Sequence, residues 1–253
     1  MEPMLARSFQ LLVLVACLFS AANARAGLVI TEVMFNPFAD PFSIDPDTAP
    51  NEWIELFNTG PGTIDLSEYK LVDGNGDSFG AMSGSLASNE SIVVYNSDFA
   101  QIGPTDFDYS LFSTKWGLDA SVKTLALTSW QPMSDPLIDP SESKTLKLLS
   151  LVPTETTVVS LEDFANDVTK DWPTPVEAYS MYLSDLSNPS PDKWFTIDAL
   201  TPGFVDSEQG DFGSPGYVEF SAAPPTVPEP HSMAVFALLT CSVTMYRRRR
   251  SNS

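Results

Sequence analysis

Asn51-Glu52-Trp53-Ile54-Glu55-Leu56-Phe57-Asn58 is the stretch on which the fold class turns. As a strand, residues 53–58 send Ile54 and Leu56 to one face and Trp53, Glu55 and Phe57 to the other. The first face is expected to be core. Working outward, similar short apolar or alternating runs occupy 28–35, 91–95, 122–128, 145–150, 156–160 and 179–183, with Gly, Pro, Asn, Asp and Ser clusters between them. Short β-rich runs with turn chemistry between them, and no long stripe of 3.6-residue period, predict an all-β sandwich. Residues 160–170 are the best place for one short helix. Pro37, Pro41, Pro46 and Pro50 break the chain between the first two strands. The segment 103–140 carries similar breakers together with Trp116 and Trp130, and reads as long loops or an insertion. A single immunoglobulin-like sandwich takes about 100 residues, so the body is read as one such sandwich with large loops rather than two small domains.

Charge and composition exclude several kinds of chemistry. The chain has 253 residues, 33 Asp plus Glu and 13 Lys plus Arg, for a formal net charge of -20. All six Arg, both Cys and the only His lie in the first 26 or last 27 residues. The stretch 27–226 therefore sets 31 acids against seven Lys, a formal charge of -24. Nucleic acid binds through cations that displace its counterions, so such a body would be repelled and no nucleic-acid partner is expected. Lacking Cys and His, it forms no thiolate or imidazole zinc site, no Ser-His-Asp or Cys-His pair and no interchain disulfide. Carboxylates, hydroxyls and amides are left to carry function.

Both ends read as addresses. Arg7 opens a cationic region, residues 9–20 are apolar, and Ala24-Arg25-Ala26 supplies the small residues at which a signal peptidase cuts, so residues 1–26 are expected to be removed. Residues 221–230 are a Pro-rich spacer ending in Val227-Pro228-Glu229-Pro230. Residues 231–253 then provide a short apolar segment and Arg247, Arg248, Arg249 and Arg250. A helix over 232–246 would be about 22 Å long at about 1.5 Å per residue, short for a hydrocarbon core of about 30 Å. Tyr246 and the Arg stems can snorkel, and the Arg cluster should stay cytoplasmic. This tail resembles the PEP-CTERM sorting signal of bacteria that make extracellular polysaccharide matrices. That resemblance implies transient residence in the inner membrane, processing by an exosortase-type enzyme, and then a place at the cell surface or in the extracellular matrix.

The body, 27–220, resembles the lamin tail domain (LTD), an immunoglobulin-like β-sandwich found in nuclear lamins and in bacterial exported proteins. The residues that carry the likeness are Ile30-Thr31-Glu32-Val33-Met34-Phe35-Asn36-Pro37 and, more diagnostic, the 51–58 block with Glu52, Trp53, Glu55 and Asn58. Ile64-Asp65-Leu66, Tyr69-Lys70-Leu71-Val72-Asp73 and Ser91-Ile92-Val93-Val94-Tyr95 follow in the family's order. So do Trp172-Pro173, 179–183, Trp194 and Gly213-Ser214-Pro215-Gly216. The acidic loop 38–50 and the long middle 103–140 depart from the pattern. Lamin tails have been linked to chromatin, a role that the charge of this body argues against.

Three groups of residues are candidates for chemistry. Asp73, Asn75 and Asp77 present oxygens at alternate positions, as the first half of a calcium loop does. A full EF-hand loop fails, because its sixth position is Ser78 and its twelfth is Gly84. The competing reading is a Gly- and Asn-rich hairpin turn. A surface this acidic lowers its self-repulsion by binding cations, so calcium is the one cofactor left open. Glu32, Glu52 and Glu55, on neighbouring strands, have the makings of a carboxylate cluster for calcium or for acid and base catalysis. The simpler reading, which we adopt, is strand-edge glutamates bonded to backbone amides or solvent. Trp53, Trp116, Trp130, Trp172 and Trp194 more often fill a core than stack on sugar, and Trp116 and Trp130, in the inserted middle, are the two best placed for exposure if any is exposed. The resulting expectation is a non-enzymatic surface or matrix protein that binds extracellular polysaccharide or surface proteins. A carboxylate-dependent polysaccharide hydrolase and a calcium-dependent adhesion module are the rivals.

Overall fold

A computed structural model describes residues 27–35, 37, 52–97, 111–130, 133, 145–162, 164, 171–173, 176, 178–186, 188–207 and 210–218. These all fall within one compact unit, Ala26–Ser221. Outside the described residues lie the signal region with Ala24 and Ala26, Asn36, the acidic loop 38–50, parts of 103–140, the spacer with Val227, Pro228, Glu229 and Pro230, and the tail with Arg247, Arg248, Arg249 and Arg250.

In chain order the elements are β1 (Leu28–Met34), β2 (Trp53–Asn58), β3 (Ile64–Asp65), β4 (Tyr69–Val72), β5 (Ser85–Leu86), β6 (Ser91–Asn96), α1 (Leu111–Lys115) and β7 (Lys123–Leu127). They continue with β8 (Leu146–Ser150), β9 (Thr156–Leu161), β10 (Met181–Leu183), β11 (Trp194–Thr196), β12 (Val205–Asp206) and β13 (Phe212–Gly213). A six-stranded sheet runs β11-β10-β1-β2-β6-β7, and a three-stranded sheet runs β4-β8-β9. The main apolar core joins Leu28, Ile30, Val33, Ile54, Leu56 and Val94 of the larger sheet to Leu71, Leu148 and Leu161 of the smaller. This is the strand-rich sandwich that the alternating runs predict.

One expectation is corrected and one open alternative is closed. The helix expected over 160–170 does not begin where it was placed, because Ser160 and Leu161 are the last residues of β9. Leu161 pairs with Leu146 across the ladder and both are buried, so strand alternation continues through this point. Trp116, one of the two best placed for exposure, is 1% exposed, and Trp130 is packed against the main core, so both follow the core reading. The cause is that the middle of the chain folds onto the large sheet. β7 joins that sheet parallel to β6, and a parallel neighbour requires a crossover connection. The crossover contains α1, whose Phe112 packs with Trp116, Trp53, Met34, Val93 and Tyr95 as a second apolar cluster. Trp53 and Trp116 meet edge to face at 5.5 Å. The outer face of the sheet is thus covered at its centre, and every residue of β2 is buried.

Candidate functional site

The site is built from one irregularity in the pairing of β1 and β2. Ile30 pairs with Leu56 and Glu32 with Glu55, so Thr31 is an extra residue, a β-bulge. Bulges re-aim side chains. Before the bulge Leu28 and Ile30 face the core; after it Val33 does, and Glu32 is turned to the outer face directly opposite Glu55. The same row continues outward along the sheet, with Tyr182 opposite Glu32 and Phe195 opposite Tyr182.

The two carboxyls lie in the middle of the sheet, 1% exposed each, on central strands rather than at a strand edge. They are satisfied from within the fold. Glu32 accepts hydrogen bonds from the Ser180 hydroxyl, from the Ser214 backbone N–H at 2.8 Å and from the Ser214 hydroxyl at 2.6 Å. Glu55 accepts from the Thr31 hydroxyl at 2.9 Å and from the Gly216 N–H at 2.9 Å. The Gly213-Ser214-Pro215-Gly216 segment is therefore held on the sheet by two carboxyls more than 150 residues earlier in the chain. Gly216 has φ +85°, and a Cβ there would lie 2.6 Å from Val122, so the close approach of this loop admits no larger residue without displacement.

Burial dominates the electrostatics. Loss of solvent pushes the Glu32 carboxyl up to about 7, against the ionisation-favouring bonds from Ser180 and Ser214. Glu55 is raised well above the ordinary carboxylate range, first by burial and then by the charge of Glu32. Two carboxyls in one low-dielectric environment titrate as a unit, the charge of one disfavouring ionisation of the other. A small cavity of about 20 Å³, room for one water, is lined by Glu32, Glu55, Tyr182 and Tyr217.

Glu52 does not join them. It sits at the entry to β2, where its carboxylate accepts from the Trp130 indole N–H at 2.9 Å and the Met133 N–H at 2.7 Å. Its role is to fasten the middle segment to the core. Asn58 does similar work in the loops, donating to the carbonyls of Gly62, Leu86 and Ala87 and accepting from the Gly60 N–H. Asp73, Asn75 and Asp77 occupy an exposed turn after β4, in which Gly76 has φ +91°. Asp73 Oδ1 accepts the Asp77 N–H at 2.8 Å and so serves as a turn cap. Among the described residues no three His, Cys, Asp or Glu gather as a metal-binding group.

The bonding of Glu32, Glu52 and Glu55 to backbone amides follows the sequence reading; their depth, and the separation of Glu52 from the other two, do not. Sequence reasoning also missed Tyr182, Phe195 and Tyr217. Their one signal was the Tyr179–Leu183 alternation, which places Tyr182 on the face opposite Met181 and Leu183.

A protein-family model described as Lamin Tail Domain matches residues 21–163, more than half of the chain. The match contains Glu32, Glu52 and Glu55 and ends before Ser180 and Ser214, their partners on the far side of the carboxyl pair. No curated protein matches the sequence.

Proposed function

The chain belongs to the lamin tail domain family, and from that premise we propose that it is an exported, non-enzymatic binding or scaffolding protein of the cell surface or extracellular matrix. Delivery is through the signal peptide at 1–26. The Val227-Pro228-Glu229-Pro230 motif, the apolar segment and the Arg cluster mark a PEP-CTERM-type tail, handled at the inner membrane by an exosortase-type enzyme. The observation that carries the non-enzymatic reading is the commitment of Glu32, Glu52 and Glu55 to hydrogen bonds that hold the fold together. A glycoside hydrolase needs two carboxyls flanking a bound sugar across an open cleft, one of them free to meet water or the anomeric carbon. Here the paired carboxyls face a cavity of water size and accept bonds from Ser214 and Gly216.

Co-sedimentation of the purified protein with its own organism's matrix polysaccharide, in calcium or in chelator, tests this reading. Sedimentation without new reducing ends is the expected result. New reducing ends that vanish in Glu55→Gln without loss of folding would establish the hydrolase instead. Sedimentation lost in chelator, and restored by calcium only when Asp73 and Asp77 are intact, would establish the calcium-dependent adhesion module.

A further inference from the structure

The end of the cross-strand row nearest the sheet edge is unlike the rest. Phe195 is on β11, the terminal strand of the large sheet, and is 46% exposed. Its ring lies 6.1 Å from that of Tyr182 at an interplanar angle of 38°. Tyr217, 44% exposed, lines the same cavity as Tyr182. Its position is set on two sides. A Cβ on Gly203 would lie 2.2 Å from the Tyr217 Cγ, so the ring rests on the backbone of that loop. The residue before it, Gly216, is tied to Glu55. Ser184 and Thr201 line the same cavity. Tyr182 and Phe195 are held on paired strands and Tyr217 by its tethered loop, so the rings are preorganised for a ligand.

We infer that Tyr182, Phe195 and Tyr217 form a stacking platform for a neutral polysaccharide chain. A sugar ring has one face of C–H groups with partial positive charge, which packs on the negative face of an aromatic ring, and a rim of hydroxyls that needs donors and acceptors. The rings supply the first, and the Ser184 and Thr201 hydroxyls, which donate to the Lys193 carbonyl and the Asp198 carboxylate, leave acceptor lone pairs for the second. An apolar protein partner would instead favour a contiguous apolar patch, and this one is interrupted by Ser184 and Thr201. An acidic polysaccharide is disfavoured by the formal charge of -20 and by a cavity lining without Lys or Arg. Glu32 and Glu55 act here as positioning residues, through the loop that carries Tyr217. The inference rests on the surface-binding reading and names its ligand class.

Affinity electrophoresis of the full chain through gels containing a soluble β-glucan, a mannan or a galactan, with alginate as the acidic comparison, tests it. Retardation in at least one neutral gel and none in alginate is expected. Phe195→Ser and Tyr217→Ala should each weaken it about tenfold, the scale of one lost aromatic contact. Phe195→Trp should restore it. Thermal melting checks that the variants fold, and Phe195→Ser, at a half-exposed edge position, is the safer of the two. Free migration in every neutral gel overturns the platform, as does retardation unchanged in both variants. If the protein still sediments with matrix in either case, the surface-binding reading survives the loss of the platform; if it fails to sediment, that reading falls as well.

Discussion

The two faces of β2 are both buried but are built from different materials. Toward the smaller sheet, Ile54 and Leu56 meet other aliphatic side chains, and the face is held by removal of apolar area from water. Toward α1 and the 214–217 segment, Trp53 packs on Trp116 while Glu55, its neighbour two residues on, is bonded through the loop. An aliphatic face tolerates approximate geometry. The outer face needs every polar atom matched, since an unsatisfied buried acceptor costs about 1–3 kcal/mol. What the difference teaches is that the outer face tethers chain segments and the inner one supplies bulk stability.

The largest effect expected is from removing the ring that anchors the outer face. Trp53→Ala should destabilise the domain by about 3–5 kcal/mol, matching or exceeding Leu56→Ala at about 2–5 kcal/mol. Trp53→Phe should cost less, since Trp53 Nε1 has no hydrogen-bond partner among the described residues and its loss forfeits no bond. Denaturant unfolding of the three variants decides whether the outer face is a second core. A Trp53→Ala cost below that of a surface substitution would show it to be a veneer.

The next effect separates the faces by pH. Glu32 and Glu55 bind protons more tightly in the folded than in the unfolded chain, so their contribution is complete below the unfolded value of about 4.5. It is lost as pH rises through the folded value, about 7 for Glu32. Between pH 6 and 8.5 ordinary carboxylates stay ionised, and the only His, His231, lies outside the domain, so the window isolates the pair. Glu32, whose folded value lies about one unit above pH 6, should lose on the order of 1.4 kcal/mol across it, and Glu55 adds a loss of the same sign. The double variant Glu32→Gln/Glu55→Gln should flatten the profile. A flat wild-type profile, or an equally steep one in the double variant, would mean that the carboxyls are ionised in the folded state.

How much of this was legible in sequence depends on how far apart the interacting residues are. The alternation of 53–58 is local, and it correctly sent Ile54 and Leu56 to the core. The nearness of Glu32 and Glu55 followed from adjacent strands. Their facing depends on the bulge at Thr31, which no alternating pattern announces. The bonds to Ser214 and Gly216 span more than 150 residues, and nothing in spacing predicts them. Trp116 admits two readings for a related reason. A Trp amid turn-forming residues has no periodicity to place it, and it is the crossover from β6 to β7 that lays it on the outer face. The exposed rings lie instead on a three-residue strand and in a turn, elements too short for periodicity to flag them.

The smallest effect concerns a carboxylate belonging to neither face. Glu90 accepts from the Lys123 ammonium at 2.7 Å, and that partner holds it below the usual carboxylate range, the opposite of what burial does to Glu55. Lys123 also donates to the Ser85 carbonyl at 3.0 Å, joining the start of β7 to the start of β5. Both charged side chains are about a third or more exposed, so solvent screens the pair and its net worth is small. Lys123→Met should therefore cost less than about 1 kcal/mol and leave the fall in stability between pH 6 and 8.5 unchanged. Melting temperatures in low and high salt check both points. A cost comparable to Trp53→Ala would mean that registry at the β7 edge, and not the aromatic cluster behind it, secures the outer layer.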